Sequence, residues 1–328
     1  MNFWKKFQPK TGKPIMILAP MDGVTDMVFR QIVTSVGKPD VFFTEFVPID
    51  AILSKSSQKI IDKGLRFSQR ERPIVAQIWG SNPEHFKKAA KVVADLGFDG
   101  IDINMGCPVK TTLRQGGCSA LIKNPKLAQK IILATIKGAC GLPVSVKTRI
   151  GFGSIDTEGW VTTLLQTPIA ALTLHLRTVA EMSKPPAHWE EIAKVVEVRN
   201  RLNPDCLIIG NGDVKSIEES RVKAQKYGID GVMIGRGIFQ NVWLFNESVN
   251  PETITPKDKI KLLLKHLTLF KKTFGDKRHF ALMKKFVKCY INNFPNALEI
   301  REKMMQTKTL NELIEITKRY TAIFKVVS

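Results

Sequence analysis

Eight short apolar runs recur along the first three quarters of the chain, and their regular return constrains the fold more than any other feature. They are Pro14–Met21, Val41–Phe46, Pro73–Trp79, Phe98–Asn104, Pro143–Thr148, Ala170–His175, Cys206–Asn211 and Gly231–Gly235. Segments with helical spacing lie between them, among them Asn82–Leu96, Pro125–Lys137, Trp189–Arg201 and Ser216–Tyr227. Strands alternating with helices imply an α/β fold with a parallel sheet and right-handed crossovers. About eight such units in about 250 residues match a closed (β/α)₈ TIM barrel better than an open sheet. An open doubly wound sheet would carry Gly-x-Gly-x-x-Gly after its first strand. Here that strand runs into Ala19-Pro20-Met21-Asp22-Gly23.

Past about Asn250 the strand signals stop. The linker from Val249 to Pro256 carries two prolines, and the remainder of the chain reads as a small all-α domain: Lys257–Thr273, Phe280–Asn292, Leu298–Gln306 and Asn311–Phe324. The sequence therefore divides into a barrel over residues 1–248 and a basic helical domain over residues 249–328. Residues 251–328 hold 17 Lys and Arg against 7 Asp and Glu, half of the net charge of +20. A chain this basic usually meets a polyanion, most often nucleic acid. Phe270, Phe274, Phe280, Phe286 and Tyr290 are interleaved with the lysines. Most of these aromatics are expected in the core of the bundle, and the concentrated charge favours a nucleic-acid-binding appendage over a merely solvated face.

The rest of the composition excludes other classes. With 44% hydrophobic residues in 328, the chain has ample material for a core. Five cysteines without a paired Cys-x-x-Cys spacing suggest reduced thiols, no metal site and a cytoplasmic protein. The opening Met-Asn-Phe-Trp-Lys-Lys has no apolar stretch behind it like that of a signal peptide, and no run approaches a membrane span. A monomer is the default expectation.

In a (β/α)₈ barrel the chemistry sits at the C-terminal ends of the strands. Here those ends are polar: Glu45, Gln77, Asn104, Lys147 and Arg149, His175 and Arg177, Asn211 and Asp213, and Arg236. Singly, each has a bland explanation, such as a helix cap or a satisfied core histidine; together they converge. After the fourth strand, Asn104-Met-Gly-Cys-Pro108 places the thiol of Cys107 at the barrel mouth, a candidate proton donor or nucleophile. Lys110 and Arg114 just beyond it suit an anionic substrate. The last two strands end in Asn211-Gly212-Asp213 and Gly235-Arg236-Gly237. Such turns commonly hold phosphate through backbone N–H groups, and Arg236 can fork onto its oxygens. The ligand could be FMN, a sugar phosphate or pyridoxal phosphate, with Lys147 as a possible Schiff-base lysine in the last case. Gln77, Lys147 and the Pro20–Met21 turn favour the edge and face of an isoalloxazine ring.

These runs resemble the dihydrouridine synthases, FMN enzymes that reduce uridine in tRNA. The resemblance rests on Ala19-Pro-Met-Asp-Gly-Val-Thr-Asp26, Asn104-Met-Gly-Cys-Pro108 and Val146-Lys-Thr-Arg-Ile-Gly151, and on Leu174-His-Leu-Arg-Thr178, Gly210-Asn-Gly-Asp213 and Met233-Ile-Gly-Arg-Gly237. It covers the whole barrel in order, and more loosely the helical segment, which resembles their tRNA-binding domain. It implies an FMN site formed by Ala19, Pro20, Met21, Gln77 and Lys147 on one side. His175, Asn211, Gly212, Asp213, Gly235 and Arg236 would complete it. It implies that Cys107 protonates C5 of uracil after hydride reaches C6 from flavin N5, with NADPH or NADH as reductant. Asn104, Lys110, Arg149 and Arg177 would contact the RNA. A thiol with its ordinary pKa is mostly protonated at neutral pH, so Cys107 can act as an acid. The target base must be flipped from its stack to reach a barrel mouth.

Two positions depart from the family's pattern, Leu176 and Cys118, where glycine is usual. Leu176 is expected to narrow the pocket, and Cys118 to be a structural thiol. Two other readings compete. One is an FMN barrel acting on a small molecule, such as a dihydroorotate or enoate reductase. The other is an RNA-binding protein whose barrel has lost catalysis.

Overall fold

In the computed structural model, which describes residues 2–7 and 13–326, the alternating pattern closes into a parallel barrel. Nine strands form one sheet: β1 (Ile15–Leu18), β2 (Val41–Phe43), β3 (Val47–Pro48), β4 (Ile74–Trp79), β5 (Gly100–Met105), β6 (Val144–Arg149), β7 (Ala171–His175), β8 (Leu207–Asn211) and β9 (Gly231–Ile234). Neighbours run β2-β1-β9-β8-β7-β6-β5-β4, and the pairing of Phe42 with Ile74 joins β2 to β4 and shuts the ring. The short β3 is an extension that pairs only at Val47↔Ile78 and Pro48↔Trp79. Two residues are too few for a sequence signal of their own.

The strands form because they are runs of Val, Ile and Leu that can be buried on both faces, as a parallel sheet covered by helices requires. Along β1, β2, β4 and β9 every residue is buried. At the N-terminal end of the barrel, a 3₁₀ turn over Phe3–Phe7 seats Phe3 and Trp4 among Ile15, Val41, Val75 and Ile209.

The helices around the strands are α1 (Met27–Val36), α2 (Ile49–Ile52), α3 (Ser57–Gly64), α4 (Pro83–Asp95), α5 (Lys110–Arg114), α6 (Pro125–Gly138), α7 (Thr157–Leu165), α8 (Ile192–Leu202) and α9 (Ile217–Tyr227). Their starts are written in the sequence. Asn82 caps α4 by accepting from the N–H groups of Glu84 and His85, Asn124 caps α6 through Leu127, and Pro occupies the first turn of both. Ser216 caps α9, and Gly228 closes it in the left-handed conformation.

The remaining helices are α10 (Pro256–Phe274), α11 (Ala281–Tyr290), α12 (Ala297–Gln306) and α13 (Leu310–Val326). Thr255 and Asp258 form a reciprocal capping box at the head of α10, which is why the proline-bearing linker turns into helix there. By internal contacts the chain falls into two compact units. One takes the described residues up to Asp26 with Pro39–Gly235; the other takes Met27–Lys38 and everything described from Arg236 onward. The sequence-based division at 248/249 thus differs from the grouping in space, in which α1 packs with α10. In the second unit Phe29 lies 4.9 Å from Phe286, His266 lies 4.7 Å from Phe286, and His266 Nδ1 meets the Tyr290 hydroxyl at 2.9 Å. Burial pushes His266 down to about 3, so it is a neutral core histidine.

No described helix is long and apolar enough to cross a membrane. Gly138, the last residue of α6, lies tight against α4. A methyl there would stand 2.0 Å from the carbonyl oxygen of Lys87 on α4. Gly138→Ala should therefore force the two helices apart and cost about 1–3 kcal/mol, read as a lower midpoint of thermal unfolding. An unchanged midpoint would mean that the helices slide apart freely.

Candidate active site

Register decides which side chains meet at the C-terminal end of the barrel. Gln77 pairs with Asp102, Asp102 with Ser145, Asn104 with Lys147, Arg149 with His175 and His175 with Asn211. Side chains two apart on a strand share a face, so Asp102 and Asn104 belong to one interior stack with Gln77, Ser145 and Lys147. Lys147 reaches across β7 to donate from Nζ to Asn211 Oδ1 at 3.1 Å, and Asn211 Nδ2 in turn donates to the carbonyl of Met233. That span across the ring places the ammonium in the barrel mouth.

The two amides beside it are fully oriented. Gln77 Nε2 donates to Asp102 Oδ2 at 2.7 Å, and Asn104 Nδ2 donates to Gln77 Oε1 at 3.0 Å. Asn104 Oδ1 then accepts from the backbone N–H groups of both Gly106 and Cys107, each at 3.0 Å. Arg149 braces the same loop from the other side. Its Nε donates to the Gly106 carbonyl at 2.8 Å, and one terminal nitrogen donates to the carbonyls of Thr178 and Met182. The loop after β5 is thus held at its backbone on two sides, which fixes where the Cys107 thiol stands.

The thiol is half-buried and touches a second one. Cys118, wholly buried and in the left-handed region at φ 52°, donates its S–H toward Cys107. That hydrogen bond, the N–H of Val109, the hydroxyl of Thr112 and the charge of Arg149 outweigh burial and bring Cys107 down to about 6. The donor role and burial push Cys118 far up. Cys107 is thereby biased toward its thiolate relative to an ordinary thiol. Cys118 thus bears on its neighbour through this hydrogen bond. Both cysteines are visible in the sequence, eleven positions apart, but the fold of the intervening α5 is what joins them.

Two further shifts follow from burial. Asp102 rises to about 6 despite hydrogen bonds from Gln77 and Ser145 and the charge of Lys147. Lys147 keeps some solvent contact, yet the surrounding protein and the charge of Arg149 take it down to about 8. It remains cationic at neutral pH. Only one of its three protons is used on Asn211, so two remain for an acceptor at the mouth.

The loops after β7 and β8 interlock. Arg177 is 2% exposed and all of its nitrogens are engaged. Nε donates to the carbonyl of Pro185 at 2.7 Å, one terminal nitrogen pairs with Asp213, and the other donates to His175 Nε2 at 3.2 Å. A guanidinium can only donate, so His175 accepts at Nε2 and carries its proton on Nδ1. Gly212 lies between these groups at φ 143°, and a methyl there would stand 2.6 Å from Ala187 Cβ. Only glycine suits this position. Beside these loops a cavity of about 440 Å³ is lined by Arg177, Lys184, Pro185, Asp213 and Lys215.

The residues named from sequence separate accordingly. Gln77, Asn104, Cys107, Lys147, His175 and Asn211 meet at the mouth. Ala19, Met21 and Gly235 also come together, since a methyl on Gly235 would lie 3.6 Å from Ala19 Cβ and 3.7 Å from Met21 Sδ. Pro20 is partly exposed beside them. Arg177 is engaged through all of its nitrogens, while Arg149 braces the loop through Nε and one terminal nitrogen. Lys110 is exposed at the head of α5, and Arg236 is exposed at the start of the 3₁₀ turn after β9, in the second compact unit. Leu176 is fully buried, its backbone bonded to Asn211 and His188. Asp102 is missing from the residues named from sequence; its signal is an acid set inside the apolar run Gly100-Ile-Asp-Ile-Asn.

The donor set suits a flavin: two spare ammonium protons of Lys147 and the apolar Pro20 and Met21 together form one polar and one apolar edge. Among the described residues no group of three or more His, Cys, Asp or Glu could hold a metal ion.

Comparisons with known proteins agree with this architecture. A family model described as "Dihydrouridine synthase (Dus)" matches residues 17–327. A Staphylococcus epidermidis protein named "Probable tRNA-dihydrouridine synthase" is 42% identical over 323 residues, covering 98% of this chain and 97% of its own. A Bacillus subtilis protein named "Probable tRNA-dihydrouridine synthase 2" is 42% identical over 314 residues, covering 95% of this chain and 94% of its own. Among solved structures, histamine dehydrogenase from Rhizobium sp. 4-9 superposes with a TM-score of 0.54 at 11% identity, over 80% of this chain and 50% of that one. Morphinone reductase gives 0.50 at 12% identity, over 73% and 88%. At such identities these two speak for the barrel fold alone.

The thiol pair gives a direct expectation. The rate of Cys107 alkylation by iodoacetamide should rise with pH through about 6 and be level by neutral pH, because the thiolate is the nucleophile. Cys118→Ala removes the S–H donor and should move that midpoint upward, toward the ordinary thiol range. A midpoint already in that range in the unaltered protein would contradict the contact.

Proposed function

The chain belongs to the dihydrouridine synthase family, and we propose that it reduces uridines in tRNA to 5,6-dihydrouridine, with FMN as its flavin and NADPH or NADH as reductant. The observation that carries this reading is the Cys107 loop, anchored by Asn104 and Arg149 at the barrel mouth beside the Lys147–Asn211 pair. Relatives that match almost the whole chain at 42% identity carry the tRNA-dihydrouridine synthase name, which supports the same substrate. The flavin, when bound, supplies the hydride that saturates uracil C6.

The protein's own residues do the rest. Lys147 holds positive charge at the mouth and favours an anionic reduced cofactor. His175, held at Nε2 by Arg177, would line the cofactor site, and Pro20 and Met21 offer apolar surface. Gly212, Asp213 and Gly235 would supply the turns that hold the cofactor phosphate, and the adjoining Arg236 would supply a cation for it. Cys107 gives a proton to C5 of the flipped base. Its hydrogen bonds bias it toward the thiolate, so it acts once it has taken up a proton. The negative charge of an incoming RNA raises the thiol's pKa and favours that uptake. The basic helices from α10 onward supply the RNA contact. Lys261, Lys265, Lys271 and Lys272 are all exposed on α10, where they can displace counterions from a phosphate backbone. Lys110, exposed next to the Cys107 loop, can reach RNA as well.

The purified protein should be yellow, retain FMN and add two hydrogens to uridine in unmodified tRNA, as measured by mass spectrometry of nucleosides. A protein that cannot be loaded with FMN, or that leaves tRNA unchanged when loaded and reduced, would refute the assignment. Cys107→Ala should keep the flavin and lower product formation by about 10²–10⁴-fold.

The pH dependence has a definite sign. A proton donor with a free-protein pKa of about 6 makes kcat/KM for tRNA fall as pH rises above that value. A rise through the same range would mean that Cys107 works as a thiolate. Affinity for reduced FMN should weaken as pH climbs past about 8, where Lys147 loses its charge. Titration with the reduced cofactor at several pH values reads this directly.

A further inference from the structure

We propose that Asp102 is a positioning residue for the Cys107 loop, acting through Gln77 and Asn104 by fixing which way their two amides face. The proposal rests on the reading of Cys107 as the reacting thiol. Asp102 is completely buried in the middle of β5 and touches neither the mouth nor the loop. A buried carboxylate is costly unless several donors meet it. Here Ser145 Oγ donates to Oδ1 at 2.7 Å, and Gln77 Nε2 donates to Oδ2 at 2.7 Å.

The consequence propagates because a side-chain amide has one accepting end and one donating end. A carboxylate can only accept from Gln77, so Gln77 must present its oxygen to Asn104. Asn104 must then present its nitrogen to Gln77. That leaves Asn104 Oδ1, an acceptor, facing the N–H groups of Gly106 and Cys107. Without Asp102, Gln77 is free to invert. Asn104 inverts with it, and its NH₂ group then faces two backbone donors. The loop loses its anchor, and Cys107 shifts relative to Cys118, Thr112, the Val109 N–H and Arg149, the groups that hold its thiolate.

The test uses two substitutions with opposite expectations. Asp102→Val keeps the strand preference of the position but removes the acceptor. Asp102→Asn can still accept from Gln77 through its oxygen while its nitrogen donates to Ser145, so the polarity of the relay survives without the charge. Alkylation of Cys107 by iodoacetamide, followed across pH on the peptide that contains it, needs neither flavin nor RNA. It therefore reports on the relay whether or not the functional assignment holds.

In Asp102→Val the alkylation midpoint should move up by about one pH unit, so that about fivefold less thiolate is present near pH 6. Turnover on tRNA should fall roughly 10- to 100-fold, the scale expected of a misplaced group. Asp102→Asn should restore the midpoint and most of the turnover. Asn104→Ala should reproduce the shift, and the double variant with Asp102→Val should shift no further than either single one. A Cys107 profile unchanged in Asp102→Val would overturn the proposal. So would an Asp102→Asn protein as defective as Asp102→Val, or additive shifts in the double variant. If Asp102→Val does not fold, the smaller Asp102→Ala carries the same comparison.

Discussion

The parallel register of β4, β5 and β6 is the constraint on which the barrel mouth depends. It sets Gln77 beside Asp102, Asp102 beside Ser145, and Asn104 beside Lys147. A slip of one residue in β5 would turn Asp102 and Asn104 out of the barrel, leaving Gln77 unpaired and the Cys107 loop without its acceptor. The apolar residues between them, Ile101, Ile103 and Met105, are fully buried on the alternate face, so the register is enforced from both sides. Function at the mouth is therefore tied to packing behind it.

Much of this was legible in the chain. The β-branched runs mark the barrel strands because a sheet buried on both faces needs them, and the Asn-Pro and Thr-Pro pairs mark where α4, α6 and α10 begin. The polar strand ends stood out because each interrupts an apolar run. Register was not legible, since nothing local to Asp102 says which residue of β4 or β6 will face it. The Cys107–Cys118 contact was hidden for a related reason: it depends on how α5 folds the loop back. Arg149 and Arg177 looked like ligands for an anion, as any cation at a strand end does. Only the folded loops reveal that Arg177 is already occupied by Pro185, His175 and Asp213, and that Arg149 also braces backbone carbonyls.

The helical unit separates its two chemistries cleanly. Phe270, Phe274, Phe286 and Tyr290 are buried, while most of the lysines on the same helices are exposed. Interleaving in sequence becomes segregation in space because apolar positions recur at helical spacing. The aromatics are therefore core, and the charge is what this unit presents to solvent. Isolated lysine–glutamate pairs such as Lys303–Glu299 and Lys318–Glu315 leave a large positive excess uncompensated. A surface of this kind attracts a polyanion through counterion release and has little to offer a small neutral substrate.

On the proposed reading, the barrel mouth and the basic surface serve one reaction on RNA. Its most direct measurement is anaerobic reoxidation of the FMN-loaded, fully reduced protein, followed by flavin absorbance on adding tRNA. Unmodified tRNA should reoxidise the flavin in step with dihydrouridine formation, while tRNA already carrying dihydrouridine should leave it reduced. If the flavin stays reduced with unmodified tRNA but is reoxidised by a small enone or orotate, the protein is a small-molecule oxidoreductase and the account is wrong.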